Sequence, residues 1–296
     1  MNSYDITFLG HMCFDEITPY QGETKVSPGS AVLCGAMVPA RIGKKVAIVT
    51  KMSQKDELIL QPMQERGIDT FVIPAAETTF AVVIHPTANV DERRLMIKKS
   101  AGLFQLDEIP PLKTKYLHLA GISDQEFNID LILGLKAQGY NLSVDMQSFV
   151  RQVDPDTCEI AFKDVLQKQE IVKQMSKVKL DIVEANVLTG TDDLEKAAMI
   201  IEKWGCPEIV ITQAEGVLAR VDGKTYYEEF SNHSVVGRTG RGDTTFAAYL
   251  SWRMDHSVAE SLKFAAALVS IKMETPGPFQ GTLQDVIERM ILEHSA

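Results

Sequence analysis

The chain has 296 residues, a net charge of −10 at pH 7, 24% charged residues and 45% hydrophobic residues. This length permits one large domain or two small ones, and the acidic balance argues against nucleic acid or an anionic membrane as the main partner. No apolar run reaches the roughly 20 residues of a membrane helix, and no basic and apolar leader opens the chain. The four cysteines are scattered without zinc spacing, so we expect reduced thiols and a cytoplasmic location.

Short apolar runs alternate with helix-length amphipathic segments along most of the chain. In chain order we predict strand 4–10, helix 30–43, strand 45–52, helix 55–67, strand 71–74, strand 115–121, a helix near 126–138, strand 141–147, a helix within 157–177, strand 179–185, a helix near 193–204, strand 208–214 and helix 258–273. This alternation is typical of a mostly parallel sheet covered by helices on both faces. No repeat or linker interrupts it, so we predict a single domain over 1–296.

Two segments break the alternation. Residues 12–29 are polar and turn-rich, and residues 78–100 read as two consecutive strands. Together they predict either a small antiparallel flap over one edge of the molecule or a hairpin without function. A further hairpin is predicted over 217–230, with Asp222 and Gly223 in its tight turn. The Gly-Lys-Thr of that hairpin is not a P-loop, because position 218 is Leu and the context is wrong.

The segment 237–250, GRTGRGDTTFAAYL, places three glycines and two arginines directly before an alanine-rich helical stretch. Gly240 and Gly242 accept unusual backbone angles and leave amide groups uncovered. A helix start adds unpaired N–H groups and partial positive charge, so the segment predicts an anion site. Asp243 at the junction could be only a helix cap, but a cap requires no glycine pair before it. We therefore favour a functional role for Asp243.

This combination suits phosphoryl transfer. The migrating phosphoryl group carries negative charge on its oxygens, and fixed hydrogen-bond donors aimed at those oxygens lower the barrier. A carboxylate beside the donors can orient an acceptor hydroxyl and take its proton as transfer proceeds.

The same stretch resembles the C-terminal signature of the PfkB, or ribokinase-like, carbohydrate kinases, usually written DTxGAGD. Three further segments resemble family motifs in the same order: 29–43 is similar to GGxxxN…ARLG, 180–190 to NxxE…LTG, and 263–278 to the final helix and nucleotide-flanking turn. The resemblance covers nearly the whole chain. It implies a ribokinase-like three-layer α/β/α fold with a mostly parallel central sheet and a small β lid made by about 12–29 and 78–100.

The resemblance also implies a role for each matching position. Asp243 would be the catalytic base, and the backbone of Gly240, Arg241 and Gly242 would form the anion hole. The residues implied for the acceptor are Asp15, Gly29, Ser30 and Cys34. The residues implied for ATP are Thr212, Gly216, Thr239, Pro276 and Gly277, and those implied for Mg²⁺ are Glu184 and Asp181.

Several positions depart from the family pattern on the acceptor and anion side. Gly237 stands where relatives have an Asp that helps to hold a monovalent cation, so we expect weak or absent potassium dependence. Cys34 and Ser30 replace an Asn and a Gly of the sugar pocket, which disfavours ribose-type contacts because a thiol is a weak hydrogen-bond partner. Arg241 replaces a small Ala, and its guanidinium either reaches a phosphate or an acidic substrate or points to solvent.

Two further departures lie in the middle of the chain. Asp181 replaces the Asn of NxxE, and it either joins Glu184 as a second carboxylate near Mg²⁺ or only ends a strand. The segment 144–151 loosely resembles a DxNxR motif, with Gln147 in the Asn position and Arg151 displaced by two residues.

The resulting prediction is ATP-dependent phosphorylation of a hydroxyl on a small sugar, an inositol-like polyol or a sugar acid, with ATP and Mg²⁺ as cofactors. Two alternatives stay open: a nucleoside kinase of the same fold, which needs an aromatic or amide contact for the base, and a non-catalytic sugar-binding sensor. Retention of Asp243 and the glycine pair argues against the sensor. Dimers formed through the lid occur among relatives, so we expect a homodimer of that kind and no nucleic acid or membrane partner.

Overall fold

The structure, a computed structural model, describes residues 2–89 and 92–293. Its strands are β1 (Ser3–Leu9), β2 (Cys13–Thr18), β3 (Lys25–Gly29), β4 (Val46–Met52), β5 (Asp69–Pro74), β6 (Thr79–Ile84), β7 (Arg94–Lys99), β8 (Lys113–Leu119), β9 (Leu142–Asp145), β10 (Arg151–Val153), β11 (Ile160–Phe162), β12 (Lys177–Asp181), β13 (Glu208–Thr212), β14 (Gly216–Val221) and β15 (Lys224–Glu229). Its helices are α1 (Ala31–Arg41), α2 (Gln61–Gln64), α3 (Ile129–Ala137), α4 (Gln147–Val150), α5 (Lys168–Lys173), α6 (Ile182–Thr189), α7 (Leu194–Lys203), α8 (Arg241–Trp252), α9 (Val258–Met273) and α10 (Leu283–Glu293). Short 3₁₀ turns occupy Gln54–Leu60 and Leu106–Glu108.

The described part of the chain is built around a nine-stranded sheet with the strand order β15-β14-β13-β12-β9-β8-β1-β4-β5. The strands from β13 to β5 pair in parallel, and the β14–β15 hairpin extends one edge in the antiparallel direction. The parallel strands are covered on both faces, and in β1 every residue from Ile6 to Leu9 is fully buried. This burial explains why their sequences read as continuous apolar runs. The predicted mostly parallel sheet is confirmed.

The helices cover both faces of the central sheet. On one face α1, α8, α9 and α10 pack through a core that includes Phe246 and Phe264. On the other face α3, α5, α6 and α7 pack through a core that includes Ile132 and Ile201. The predicted three-layer α/β/α architecture is therefore confirmed. No helix within residues 2–89 and 92–293 combines the length and the apolar character that a membrane span requires.

The segments 12–29 and 78–100 contribute a separate four-stranded sheet with the order β3-β2-β6-β7. The first of these segments reads as turn-rich by pattern and was expected in a β lid only from the family resemblance, and it contains two strands. Strand β7 contacts the β10–β11 hairpin, because Ile97 donates its N–H to Cys158 O at 2.9 Å and Met96 forms a bridge with Glu159. We call this four-stranded sheet the lid, and its closing motion stays a prediction.

Three predicted elements end elsewhere than expected. The helix predicted within 157–177 shortens to α5, because residues 160–162 pair with 151–153 as a hairpin. The helix predicted over 55–67 divides into a 3₁₀ turn and α2, where Pro62 lacks an N–H and favours a fresh helix start. The strand predicted over 179–185 stops at Asp181, whose carboxylate accepts the N–H of Glu184 at 2.8 Å and caps α6. The predicted turn at Asp222 and Gly223 is confirmed, with positive φ angles of 50° and 74°.

Candidate active site

A cleft opens at the carboxyl ends of the parallel strands, between the strand ends, the start of α8 and the lid. It contains about 950 Å³ of space free of protein atoms, part of which is open to solvent. Ligands of parallel α/β sheets usually bind outside the carboxyl ends of the strands, and this cleft has that location. Side chains that reach it from the strand ends and the lid include Asp15, Val83, Ile97, Gln147, Lys179, Asp181 and Thr212.

The start of α8 forms one wall of the cleft and contains the predicted anion hole. Gly240 precedes the helix with a φ of 79°, in the left-handed region that favours glycine. The first amide, that of Arg241, donates to Arg238 O at 3.0 Å, whereas the amides of Gly242 and Asp243 have no acceptor among the described residues. Open amides at a helix start, where the helix dipole is positive, favour an anion. The predicted residues Gly240, Arg241 and Gly242 all line the cleft.

Asp243 lies in the first turn of α8 and also lines the cleft. The buried Gln147 donates its side-chain N–H groups to Asp243 Oδ1 at 3.4 Å and to Gly121 O at 2.8 Å. The second contact fixes the amide of Gln147, which in turn orients one carboxylate oxygen of Asp243. A carboxylate held beside an anion hole is suited to accept a proton from a hydroxyl.

The residues predicted for the acceptor meet on another wall of the cleft. Asp15 of β2 lines the cleft, and Gly29 of the paired strand β3 makes room for it, since a Cβ at position 29 would lie 1.9 Å from Asp15 Oδ2. Ser30 and Cys34 line the cleft from α1, and Ser30 caps that helix by accepting the N–H of Leu33 at 2.9 Å. Burial raises the pKa of Asp15.

Behind the anion hole lies a buried network of charges, of which the sequence analysis named only Glu184 and Arg151. Lys179 in β12 is 2% exposed, donates to Asp145 at 2.8 Å and lies 3.8 Å from Glu184. Arg151 donates to Glu184 at 3.3 Å. A Cβ at Gly242 would lie 2.8 Å from Lys179 Nζ, so this ammonium contacts the anion-hole loop. Its charge adds to that of the helix start and strengthens the attraction for an anion.

Burial and mutual charge set the protonation of this network. Burial, followed by the charge of Asp181, raises the pKa of Glu184 from 4.5 to about 7, and Lys179 and Arg151 oppose the shift. Burial also raises the pKa of Asp145. Burial lowers the pKa of Lys179, but the carboxylates of Asp145 and Glu184 outweigh it, so the net pKa is raised. Lys179 therefore keeps its positive charge in the folded chain.

The two residues predicted for a divalent metal differ in how well they fit one. Asp181 lines the cleft and uses Oδ1 to cap α6, which leaves Oδ2 for a cation. Glu184 is 0% exposed, and its oxygens accept the N–H of Asp181 and the guanidinium of Arg151. No group of three acidic, histidine or cysteine side chains that could hold a metal occurs among the described residues. Mg²⁺ is commonly held by one or two carboxylates plus substrate phosphates, so Asp181 fits directly and Glu184 only indirectly.

Cationic side chains outnumber carboxylates around the cleft. Among the described lining residues the cations are Arg93, Arg151, Lys179, Arg238 and Arg241, and the carboxylates are Asp15, Asp181 and Asp243. The lining thus holds more cations than carboxylates, and two of those cations, Lys179 and Arg151, are paired with Asp145 and Glu184 behind it. Cations beside the open amides of the helix start favour a polyanionic ligand.

The residues predicted for ATP are spread over three places. Thr212 and Thr239 line the cleft. Pro276 and Gly277 line a second cavity, which is partly open to solvent, contains about 850 Å³ of space free of protein atoms and adjoins the cleft at Thr239. Gly216 begins β14, where its backbone packs closely against β15, and it lies outside the described linings of both cavities.

Sequence reasoning missed two buried lysines next to the anion hole, Lys179 and Lys272. Lys272 is 0% exposed in the last turn of α9, and its ammonium donates to Gly237 O and Thr239 O. Lys272 interrupts a mostly apolar stretch of α9, whereas Lys179 lies in a strand that also carries Lys177 and Asp181. Lysine is almost never fully buried without a partner, so the interruption in α9 could have identified Lys272, and no such signal marks Lys179.

Comparison with known proteins finds kinases along nearly the whole chain. The sequence profile of the pfkB family carbohydrate kinases matches residues 2–283. A pyrophosphate-dependent kinase in the ribokinase family, solved as a sulfate complex, is 30% identical with a TM-score of 0.89 over 96% of this chain and 99% of that one. A structure of such a kinase with a pyrophosphate analog and myo-inositol is 29% identical with a TM-score of 0.86 and the same coverage. The cytidine kinase of Thermococcus kodakarensis is 26% identical over 258 residues, 83% of this chain and 87% of that protein.

Proposed function

The chain belongs to the PfkB family of carbohydrate kinases, and we propose that it phosphorylates a hydroxyl of a small polyol of the inositol class, with inorganic pyrophosphate as the phosphoryl donor. One observation carries the proposal: Asp243 lies beside the open amides of α8, in a cleft whose charged side chains are mostly cationic. The amides and cations suit a polyphosphate, and the carboxylate suits a hydroxyl.

The reaction requires the acceptor and the donor to meet at Asp243. The acceptor hydroxyl lies between Asp15 and Asp243, and the terminal phosphoryl group lies at the amides of Gly242 and Asp243. The hydroxyl oxygen forms a bond to phosphorus as the bridging P–O bond of pyrophosphate breaks and orthophosphate leaves. The hydroxyl proton passes to Asp243 and from there to solvent. A divalent cation bound at Asp181 would supply further positive charge to the phosphate oxygens.

Charge is the reason for proposing pyrophosphate as the donor. A nucleotide gains part of its binding from the base, whereas pyrophosphate must gain all of it from contacts to phosphate oxygens. Lys179, Arg238 and Arg241 surround the anion-hole loop and can supply charge-assisted hydrogen bonds to such a ligand. The pyrophosphate-dependent relatives at 29% and 30% identity support the same donor.

ATP, the donor expected from the sequence, is the second candidate, and a separate observation favours it. The second cavity is lined by Val235, Val236, Pro276 and Gly277 and adjoins the cleft at Thr239. Its mostly apolar walls suit a purine base, since ligand pockets are commonly apolar with a few polar groups. In that case the terminal phosphates of ATP would occupy the place that we assign to pyrophosphate.

The lining of the cleft favours a small polyol as the acceptor. Asp15, Gln147 and Asp243 offer hydrogen-bond partners for several hydroxyls, and Ile97 of the lid offers apolar cover. None of the described residues that line the cleft is aromatic, so a nucleoside base would lack a stacking partner there. This disfavours the nucleoside alternative despite the cytidine kinase relative. A sugar acid remains a candidate acceptor because Arg93 also lines the cleft.

An activity screen tests the proposal. Purified protein with Mg²⁺ is given pyrophosphate or ATP and a panel of inositols, other polyols, sugars, sugar acids and nucleosides, and release of orthophosphate or ADP is measured. We expect turnover with pyrophosphate and an inositol. Asp243→Asn should lower kcat by about 100-fold or more while KM stays within about threefold. Asp255→Asn is the matched control, because Asp255 lies beyond the opposite end of α8, on the order of 18 Å away.

Two outcomes would contradict parts of the proposal. Turnover of an acceptor with ATP but not with pyrophosphate would reject pyrophosphate as the donor and establish ATP, the second candidate. The protein could instead show no turnover with any pair of donor and acceptor, while a sugar or polyol raises its melting temperature. That result would overturn the kinase assignment in favour of the non-catalytic sensor.

A further inference from the structure

Lys272 is a buried cation directly behind the anion hole. Its side chain is 0% exposed, and its ammonium donates to the backbone carbonyls of Gly237 and Thr239. Among the described residues no carboxylate forms an ion pair with it. Burying a charge without such a partner is unfavourable, and a methionine would fill the same space at a lower cost. Burial lowers the pKa of Lys272, and the nearby charge of Asp243 opposes that shift. The ammonium donates its hydrogen bonds to the two carbonyls, so it acts on them directly.

Gly237 explains why the loop does not carry the aspartate that would hold a free cation. A Cβ at position 237 would lie 1.9 Å from Thr275 O and 2.7 Å from Lys272 O. Both atoms belong to the backbone at the end of α9, so no side chain fits at 237 unless that backbone moves. The aspartate that the family signature has at this position cannot be accommodated, and Lys272 places a cation on the loop without it.

The two carbonyls also set the direction of the amides that follow them. In a planar trans peptide the C=O of one residue and the N–H of the next point in opposite directions. Thr239 O faces Lys272, so the N–H of Gly240 points away from Lys272, and Gly240 itself lines the cleft. Gly240 O then accepts the N–H of Thr244 at 2.9 Å at the start of α8. Holding these carbonyls therefore holds the beginning of the anion hole.

We propose that Lys272 is a positioning residue for phosphoryl transfer, whose ammonium acts as a covalently attached monovalent cation on the carbonyls of Gly237 and Thr239. It keeps the amides at the start of α8 directed at the phosphoryl group. The inference rests on the proposed function for the identity of that group. Because the cation is part of the chain, the enzyme does not require potassium.

Two substitutions at Lys272 test this role. Lys272→Met keeps most of the side-chain length and removes the charge, and Lys272→Ala leaves space for a small cation. Both should lower kcat by about 100-fold while the acceptor KM stays within about threefold, as for loss of preorganised donors. Added ammonium or methylammonium should raise the rate of Lys272→Ala by at least about tenfold, since either cation can donate hydrogen bonds to the two carbonyls. Tetramethylammonium, which has no N–H, should not.

Lys177→Met is the matched control for these substitutions. Lys177 is also a buried lysine, 7% exposed, but it pairs with Glu208 at 2.9 Å and does not line the cleft. Its substitution should lower stability without a selective loss of kcat or any response to ammonium. A Lys272→Met variant with wild-type kcat would overturn the proposal. So would a folded, impaired Lys272→Ala variant that ammonium does not restore, because that result indicates a purely structural lysine.

Two further measurements keep the inference testable if the variants fold poorly or the acceptor is not found. The wild-type rate should stay unchanged when tetramethylammonium replaces potassium in every buffer, and a strict potassium requirement would overturn the proposal. Calorimetry with imidodiphosphate, a non-hydrolysable analogue of pyrophosphate, needs no turnover. Lys272→Met should bind it about tenfold more weakly than wild type, which corresponds to about 1.4 kcal/mol, and equal affinity would contradict the role. If wild type binds imidodiphosphate but phosphorylates nothing, only the proposed function fails.

Discussion

At the residue scale, Glu184 is enclosed by its own network: the capping residue Asp181 and the cations Lys179 and Arg151, with 0% of Glu184 exposed. Asp243 instead lines the cleft, where a hydroxyl can reach it. A carboxylate without an accessible oxygen cannot take a proton from a substrate. The structure thus supports catalysis for Asp243, and for Glu184 it supports organisation of the two cations behind the anion hole.

The raised pKa of Glu184 makes stability depend on pH in a defined direction. The folded chain keeps a proton on Glu184 up to about pH 7, whereas the unfolded chain releases it near 4.5. The free energy of unfolding contributed by this group therefore falls as pH rises through that window. Glu184→Gln does not ionise, so we predict that its free energy of unfolding relative to wild type rises by about 2 kcal/mol between about pH 5 and 7.5.

Urea unfolding of both proteins at several pH values measures this difference. Glu260→Gln is the matched control, because Glu260 has the same place in the capping box of α9 but is exposed. The pKa of Glu260 is lowered by its hydrogen bonds to Ser257, so its substitution should not produce a rise. An identical pH dependence of the two variants would show that burial of Glu184 does not govern its protonation.

Asp243 and the glycines before it could be predicted because their chemistry is local. A helix start, two glycines and a carboxylate lie within four residues, and each has a known preference. Lys272 could not be predicted in this way, since Thr239 and Gly237 lie 33 and 35 residues away along the chain. The spacing of residues in the sequence does not indicate that contact, because it forms only when α9 packs against the loop.

At the element scale, α1 and α9 both contact the loop before α8 at Gly240. A Cβ there would lie 2.5 Å from Cys34 Sγ and 3.9 Å from Lys272 Nζ. Burial raises the pKa of Cys34 to about 12, so this thiol is neutral near pH 7. Cys34 thus acts as a small packing group between α1 and the loop, which accounts for a thiol where relatives have a hydrogen-bonding Asn.

Gly240→Ala should therefore damage both stability and catalysis. The φ of 79° disfavours a side chain by about 1–2 kcal/mol, and the new methyl group would also displace Cys34. We predict a kcat lowered by about tenfold or more, as for a misaligned anion hole. Gly43→Ala is the control: Gly43 has a similar φ of 84°, but no atom lies within 4 Å of its added Cβ.

Chemical unfolding and steady-state kinetics on the two variants separate these effects. The positive φ should lower the free energy of unfolding of both variants by a similar amount. Gly43→Ala should keep the kcat of wild type. A Gly240→Ala variant with full activity would show that the contact between Cys34 and the loop does not align the anion hole.

Strands whose residues are buried continuously were predicted from the sequence, and short strands whose residues are only half-buried were missed. Strands such as β1, β4 and β13 are buried along almost their whole length, so their apolar runs identify them. The short strands β10 and β11 are only half-buried, and β10 carries the polar residues Arg151 and Gln152. Their pairing is a contact between separate segments that periodicity does not reveal. The acceptor residue Asp15 was placed only by the family resemblance, since β2 lies in a segment that reads as turns.

At the scale of the whole molecule, the lid contacts the main body through the β10–β11 hairpin. Arg94 of β7 pairs with Glu159, beside the backbone contacts of Met96 and Ile97 to the same hairpin. Lid residues also line the cleft, so the lid lies over the place that we propose for the acceptor. Exclusion of water by such a cover would suppress hydrolysis of the donor. The expected homodimer through the lid and the cytoplasmic location both stay predictions.

Glu159→Ala tests whether this contact matters for the reaction. Exposed ion pairs contribute less than about 1 kcal/mol, so we predict an acceptor KM raised about threefold, more donor hydrolysis without acceptor, and a nearly unchanged kcat. Glu77→Ala is the control, because it breaks a comparably exposed pair with Lys99 that does not involve the hairpin. Steady-state kinetics that gave the same KM for both variants would contradict a role for the hairpin in closing the lid.

The most direct measurement is a crystal structure of the chain with Mg²⁺, imidodiphosphate and myo-inositol. We expect an oxygen of one terminal phosphate within about 3 Å of the amides of Gly242 and Asp243, and an inositol hydroxyl within about 3 Å of the Asp243 carboxylate. A phosphate bound out of hydrogen-bonding reach of those amides, or an inositol bound away from Asp243, would contradict the assignment of this cleft as the site of phosphoryl transfer.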